Sequence, residues 1–127
     1  MNEHHCLLCM GSNTDRLKHL SEARKALTAT FPDVCFGRLM ETEAIGSGFY
    51  SPFSNQLASF TTTLLPDAIH AFFKQLERCS GRMPDDKAKG IVKLDVDLLM
   101  FDSEVLKPED MQREYICKGM EDFPYSR

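Results

Sequence analysis

Residues 93–101 read K-L-D-V-D-L-L-M-F, and no other stretch narrows the fold as much. Most of the nine are apolar, as in a buried strand, yet two carboxylates sit in the middle. In a strand, residues i and i+2 share a face, about 7 Å apart. Leu94, Val96, Leu98 and Met100 then form one face, expected to be the core. Lys93, Asp95, Asp97, Leu99 and Phe101 form the other. Neighbouring carboxylates repel, and something must offset that repulsion. A divalent cation would do so. Hard cations such as Mg²⁺ choose carboxylate oxygens and often use only one or two, with phosphate and water completing the shell. A solvated acidic face would also do so. The local pattern leaves both answers open.

The rest of the chain supplies partners for this strand. Residues 6–10 are a short apolar run ending at Gly11-Ser12-Asn13, a strand followed by a turn. Leu17, Leu20, Ala23, Leu27 and Phe31 recur at helical spacing, with Thr14 or Asp15 as cap and Pro32-Asp33 as stop. Residues 34–41 alternate as a second strand. Residues 44–53, A-I-G-S-G-F-Y-S-P-F, form a Gly-rich loop in which Phe49, Tyr50 and Phe53 either make a binding surface or tuck back onto the core. Residues 55–64 read as a third strand, helped by Thr61-Thr62-Thr63. Pro66 suits the first turn of a second helix, whose apolar side is Ile69, Phe72, Phe73, Leu76 and Cys79 and which stops near Gly81. Residues 82–90 are a polar loop. Residues 91–101 are the fourth strand, with 104–106 folding back across Asp102-Ser103 as a short hairpin. The last twenty residues are polar, with at most a turn of helix at 108–114.

This order, βαββαβ, predicts an α+β, ferredoxin-like fold: an antiparallel four-stranded sheet with both helices on one face. The opposite face is expected to be left for loops and ligand.

Composition removes some functions. The chain of 127 residues is expected to form one domain, residues 1–127. Fifteen Lys and Arg face 19 Asp and Glu, a formal charge of −4, which argues against a nucleic-acid partner. No apolar run is long enough to span a membrane, and the start, M-N-E-H-H-C, lacks the features of a signal peptide. The five cysteines (6, 9, 35, 79 and 117) are odd in number and mostly in apolar surroundings, which suits reduced thiols in the cytoplasm. Cys6-x-x-Cys9 with His4 and His5 raises the question of zinc. The segment reads as a strand, and no second ligand pair follows.

Several features fall in one register: strand–Gly11-Ser12-Asn13–helix, Thr42 after the second strand, Asn55 opening the third, Glu77 on the second helix, Gly81-Arg82, and Leu94-Asp95-Val96-Asp97-Leu98-Leu99. Together they resemble the 6-hydroxymethyl-7,8-dihydropterin pyrophosphokinase family of folate biosynthesis, most clearly over residues 6–106, with 107–127 a short, divergent tail. The resemblance implies that pyrophosphate moves from ATP to the hydroxymethyl group of a reduced pterin, releasing AMP. It implies two Mg²⁺ ions on Asp95 and Asp97, and a catalytic role for these two and Arg82. It implies pterin contacts from Thr42, the backbone near Ile45, Phe53 (where the family usually has Tyr), Asn55 and Phe123. On the nucleotide side it points to Glu77 and Leu98, with Lys87, Lys89 and Lys93 standing in for arginines. Its members' substrates are small molecules, and a monomer or weak oligomer is expected.

The chain also departs from the family. Pro84 and Val92 stand where the family has arginines. Ala88, Lys89 and Gly90 replace the stretch that carries its loop aromatic. No histidine follows His70. Three readings follow: a pyrophosphokinase, a non-catalytic pterin- or nucleotide-binding homologue, and a ligand-free interaction domain with Asp95 and Asp97 simply solvated.

Overall fold

The structure is a computed structural model that describes residues 2–42 and 52–121. Its elements are β1 (His4–Ser12), α1 (Arg16–Thr30), β2 (Cys35–Thr42), β3 (Phe53–Thr62), α2 (Pro66–Cys79), β4 (Asp95–Phe101), β5 (Glu104–Val105), α3 (Pro108–Met111) and α4 (Glu114–Glu121). A 3-10 turn at Lys87–Lys89 interrupts the loop before β4.

The sheet order is β2-β3-β1-β4-β5, and every pairing is antiparallel. The first four strands and two helices follow the expected order. The four-stranded expectation is nevertheless too small. The 104–106 fold-back pairs with β4 as a fifth strand, through Met100 with Val105 and Phe101 with Glu104. Asp102 turns the corner at φ 53°, a conformation that Asp tolerates better than most residues.

β1 is central, and its run C-L-L-C-M is buried on both faces. Cys6, Leu8 and Met10 meet Leu20, Ala23 and Leu27 of α1 and Ile69, Phe73 and Leu76 of α2. Both long helices therefore cover one face, as period-3.6 patterning requires. Leu17, expected on the α1 stripe, is 69% exposed, so the stripe begins a turn later. Neither proposed side chain caps α1. Asp15 is left-handed and makes no cap bond, while the Thr14 hydroxyl donates to Asn13 Oδ1.

The other face is not left open along its length. Leu7, Cys9, Met40, Leu57, Leu99 and Met100 form a second apolar layer with Ile116, and Met111, Tyr115 and Met120 pack against it. The tail holds the expected helical turn as α3, and α4 beyond it makes the segment a short helical roof. It can approach closely because Gly119 has no side chain: a Cβ there would lie 2.9 Å from Met40 Sδ and 3.0 Å from Leu57 Cδ1.

β4 also breaks the simple alternation. Leu8 faces Leu98 but Leu7 faces Met100, which leaves Leu99 as an extra, bulged residue. Met100 therefore lies with Leu99 in the roofed layer, not with Leu98 as strict alternation predicts. The same two-face logic disposes of zinc at Cys6-x-x-Cys9. Three residues apart on a strand, the two thiols belong to opposite layers. Among the described residues no group of three or more His, Cys, Asp or Glu could hold a metal alone.

Candidate active site

The unroofed part of the second face lies near the end of β1, at Gly11. Gly11 pairs with Asn55 on one side and Asp95 on the other, and Cys9 pairs with Asp97. Three strands thus place an amide and two carboxylates side by side. A Cβ on residue 11 would lie 2.7 Å from Asn55 Oδ1, so the glycine makes room for the Asn55 side chain. Asn55 Nδ2 donates to Thr42 Oγ1 at 3.0 Å, which fixes the amide's orientation. A cavity of about 180 Å³ opens here, lined by Cys9, Gly11, Thr42, Phe53, Asn55, Asp95, Asp97, Arg113 and Tyr115.

Its electrostatics follow from burial. Asp95 is pushed up to about 7, first by burial, then by the charges of Asp97 and Glu77, against the opposing pull of Arg82. Asp97 is also raised by burial, with Asp110 and Glu77 adding to it and Lys107 opposing. Burial drives the Cys9 thiol upward, and both aspartates add to this, so it stays protonated. Tyr115 is raised to about 12, mainly by burial, and remains a hydroxyl donor. The carboxylate face is therefore short of positive charge, a situation that a hard cation would relieve.

The cavity brings together five residues singled out from sequence: Thr42, Phe53, Asn55, Asp95 and Asp97. Ile45 and Phe123 lie outside the described residues, as do Phe49 and Tyr50. The nucleotide-side residues are placed differently. Leu98 is fully buried among the α1 and α2 side chains, because its parity on β4 is opposite to that of the aspartates. Glu77 is 1% exposed and already engaged. Its Oε2 accepts from the Val96 N–H at 2.9 Å, and its Oε1 accepts from Arg82 Nη1 at 2.9 Å and Lys74 Nζ at 3.3 Å. Its environment makes it an interior brace between α2, β4 and Arg82.

The loop lysines diverge too. Lys93 donates to the Gly81 carbonyl at 2.7 Å and pairs with the buried Asp86 at 3.3 Å. The Met83 N–H, and then Lys93, hold the Asp86 carboxyl below its usual range. Lys89 pairs with Asp85 at 2.9 Å on the surface. Lys87 is exposed on the 3-10 turn. Asn13 ties this loop to the start of α1: its Nδ2 donates to the Gly90 carbonyl and its Oδ1 accepts from the Val92 N–H.

Arg113 and Tyr115 were not singled out from sequence. Tyr115 lies one residue before Ile116, which is buried against the second layer, so an i, i+3, i+4 reading of Met111, Tyr115, Ile116 and Met120 would have revealed the roof.

Fold and cavity define an α+β domain with an antiparallel sheet whose three central strands present an amide and a carboxylate pair on one face. A model of the family described as 7,8-dihydro-6-hydroxymethylpterin-pyrophosphokinase (HPPK) matches residues 7–124, and the chain belongs to that family. No curated protein matches it. Among the described residues no helix is long and apolar enough to cross a membrane.

Proposed function

We propose that this chain transfers pyrophosphate from ATP to the hydroxymethyl group of 6-hydroxymethyl-7,8-dihydropterin in folate biosynthesis, in the cytoplasm and as a single domain. The observation that carries this reading is one cavity holding Asn55, Thr42 and Phe53 beside Asp95 and Asp97. A flat heterocycle needs an aromatic wall and a few fixed polar groups. Phe53 supplies a wall, and Tyr115 is a second ring in the same cavity. Asn55 offers both a donor and an acceptor, and its bond to Thr42 leaves one N–H and the Oδ1 lone pairs for the ring edge.

The carboxylate pair fits Mg²⁺. It offers oxygen donors only, on one strand face, and Mg²⁺ is commonly held by one or two carboxylates plus substrate phosphates. When bound, the metal would neutralise phosphate charge and align donor with acceptor. Asp95 and Asp97 would be its protein ligands. In the transfer, the pterin hydroxymethyl oxygen forms a bond to the β-phosphorus. The bond from that phosphorus to the bridging oxygen breaks, AMP leaves with the electron pair, and the hydroxyl proton passes to solvent. Such transfers depend on positioning and charge more than on covalent chemistry. Glu77 serves this step indirectly, by holding Arg82 and the β4 backbone beside Asp95.

A second reading, a pterin-binding homologue without turnover, draws on the ion pairs that occupy Lys89 and Lys93. One experiment separates the two. Wild type and Asp97→Ala are incubated with ATP, Mg²⁺ and the dihydropterin, and AMP is followed. AMP from wild type alone supports the enzyme. Absence of AMP, with the pterin still raising the unfolding midpoint, supports the binding protein.

A further inference from the structure

The edge strand that carries Thr42 has little core beneath it. Of the eight described residues of β2 only Met40 is buried. Polar side chains on the helix face of the sheet hold the strand instead. Glu41 lies opposite Ser54 in the β2–β3 ladder, and the buried Ser54 hydroxyl donates to Glu41 Oε1 at 2.8 Å. Arg16, the first residue of α1, donates through Nη1 to Glu41 Oε2. The Ser54 hydroxyl first, and then Arg16, hold the Glu41 carboxyl below its usual range. About two turns further along α1, Arg24 donates to Gln56 Oε1 at 3.0 Å. Gln56 Nε2 donates in turn to the Gly37 carbonyl at 2.7 Å, where β2 bulges. Strand parity puts Ser54 and Gln56 on the α1 side of the sheet and Asn55, between them, on the cavity side.

A carboxylate that accepts from a neighbouring strand and from a helix fixes the strand it stands on, because both bonds are charge-assisted. The residue after Glu41 is Thr42, whose Oγ1 accepts from Asn55 Nδ2 at 3.0 Å. We propose that Glu41 is a positioning residue for the pterin: clamped by Arg16 and Ser54 behind the sheet, it sets the Thr42 hydroxyl and, through it, the Asn55 amide. The assignment rests on the pyrophosphokinase reading above, in which Asn55 meets the ring directly. Glu41 stands on the opposite face and acts only through Thr42. Exposed ion pairs contribute little to stability, and the Glu41 side chain is 58% exposed. The effect of the clamp is therefore expected on pterin affinity and not on the unfolding midpoint.

The test follows the path from Glu41 to the ring. Binding of α,β-methylene-ATP with Mg²⁺ is measured by titration calorimetry, and binding of 6-hydroxymethyl-7,8-dihydropterin is then measured by fluorescence with that analogue present. The proteins are wild type, Glu41→Ala, Glu41→Gln, Thr42→Val and the double variant Glu41→Ala/Thr42→Val. Pterin affinity should be about 3- to 10-fold weaker in Glu41→Ala, the range set by the net contribution of one hydrogen bond. Glu41→Gln, which can still accept from Ser54, should recover part of the loss. Analogue affinity should stay within about twofold. On the Thr42→Val background, where the hydroxyl is already gone, Glu41→Ala should weaken the pterin by less than about twofold more, because residues on one path are not additive. If Glu41→Ala does not fold, Arg16→Gln carries the comparison, since it leaves the Ser54–Glu41 bond in place. Unchanged pterin affinity, equal loss of pterin and analogue affinity, or a full additive loss in the double variant would overturn the role of Glu41 and leave the pyrophosphokinase reading intact. A wild type that does not bind the pterin would overturn both.

Discussion

Asn55 and Lys93 both reach a neighbouring segment through one side chain, and they end in different states. Asn55 donates once, to Thr42, and retains acceptor capacity toward the cavity. Lys93 spends its ammonium on the Gly81 carbonyl and on Asp86. The same division holds across the molecule. On the sheet, backbone ladders through Gly11 fix Asn55, Asp95 and Asp97 in register, so these three side chains are positioned without being used up. The 80–93 loop has no ladder. Apart from local backbone turns and the Asn13 N–H bond to the Val92 carbonyl, it is held by side chains: Asn13 on Gly90 and Val92, Asp86 on the Met83 N–H, and Lys93 on both of its partners. Where the backbone supplies the order, side chains keep unspent hydrogen-bonding capacity. Where side chains supply it, they are consumed.

The contrast can be broken first at the carboxylates. Asp97→Ala is expected to reduce AMP formation at least about 100-fold, as loss of a charge-organising group does. The thermal midpoint should hold or rise, because a buried like-charge pair is relieved; a large drop in midpoint would mean that Asp97 serves the fold. Next comes the glycine between the strands. Gly11→Ala places a Cβ against Asn55 Oδ1. Pterin affinity should fall about tenfold, which corresponds to about 1.4 kcal/mol, while nucleotide affinity stays put. Fluorescence titration with the pterin would read it, and an unchanged pterin affinity would mean that Asn55 does not read the ring.

The third prediction uses pH. In folded Asp95 the carboxyl is raised to about 7, so the folded state keeps a proton that the unfolded chain releases near pH 4. A raised carboxylate costs stability as pH rises through that window. In chelator, the urea midpoint of Asp95→Asn should therefore pull ahead of wild type between about pH 4 and pH 7 and then run parallel. A constant gap would place the burial cost elsewhere. The smallest effect is expected in the loop. Lys93→Met should lower stability by about 1 kcal/mol through its lost hydrogen bond and change nucleotide affinity less than threefold. A larger loss of nucleotide binding would show that Lys93 leaves Asp86 for phosphate.

The sheet-borne half of the site was legible because strand parity is a strict rule. Asp95 and Asp97 stand out by alternation on one strand face, whereas Asn55 and Thr42 are picked out by the register of motifs that resembles the family. The same parity rule places Leu98 on the core face, and the structure buries it there. Parity did not reveal the Leu99 bulge, since an inserted residue leaves no mark in an apolar run. The engagement of Glu77 and Lys93 was hidden for another reason: partners in tertiary structure, not neighbours in the chain, decide whether a charge is free. The roof was missed because α4 is short and mixed in composition, and its seat on the sheet depends on Gly119, which reads locally as a helix weakener.

The bulge has one more implication. Leaving out Leu99 on paper returns β4 to uninterrupted alternation, with every remaining side chain still pointing where it does now. Losing one residue from a central strand ordinarily turns everything beyond it inside out. Here the strand has a spare link. The distance from the carboxylate pair to the hairpin can shorten by one without disturbing Asp95 or Asp97, and the cost falls on the roof, which would sit above an empty space the size of a leucine.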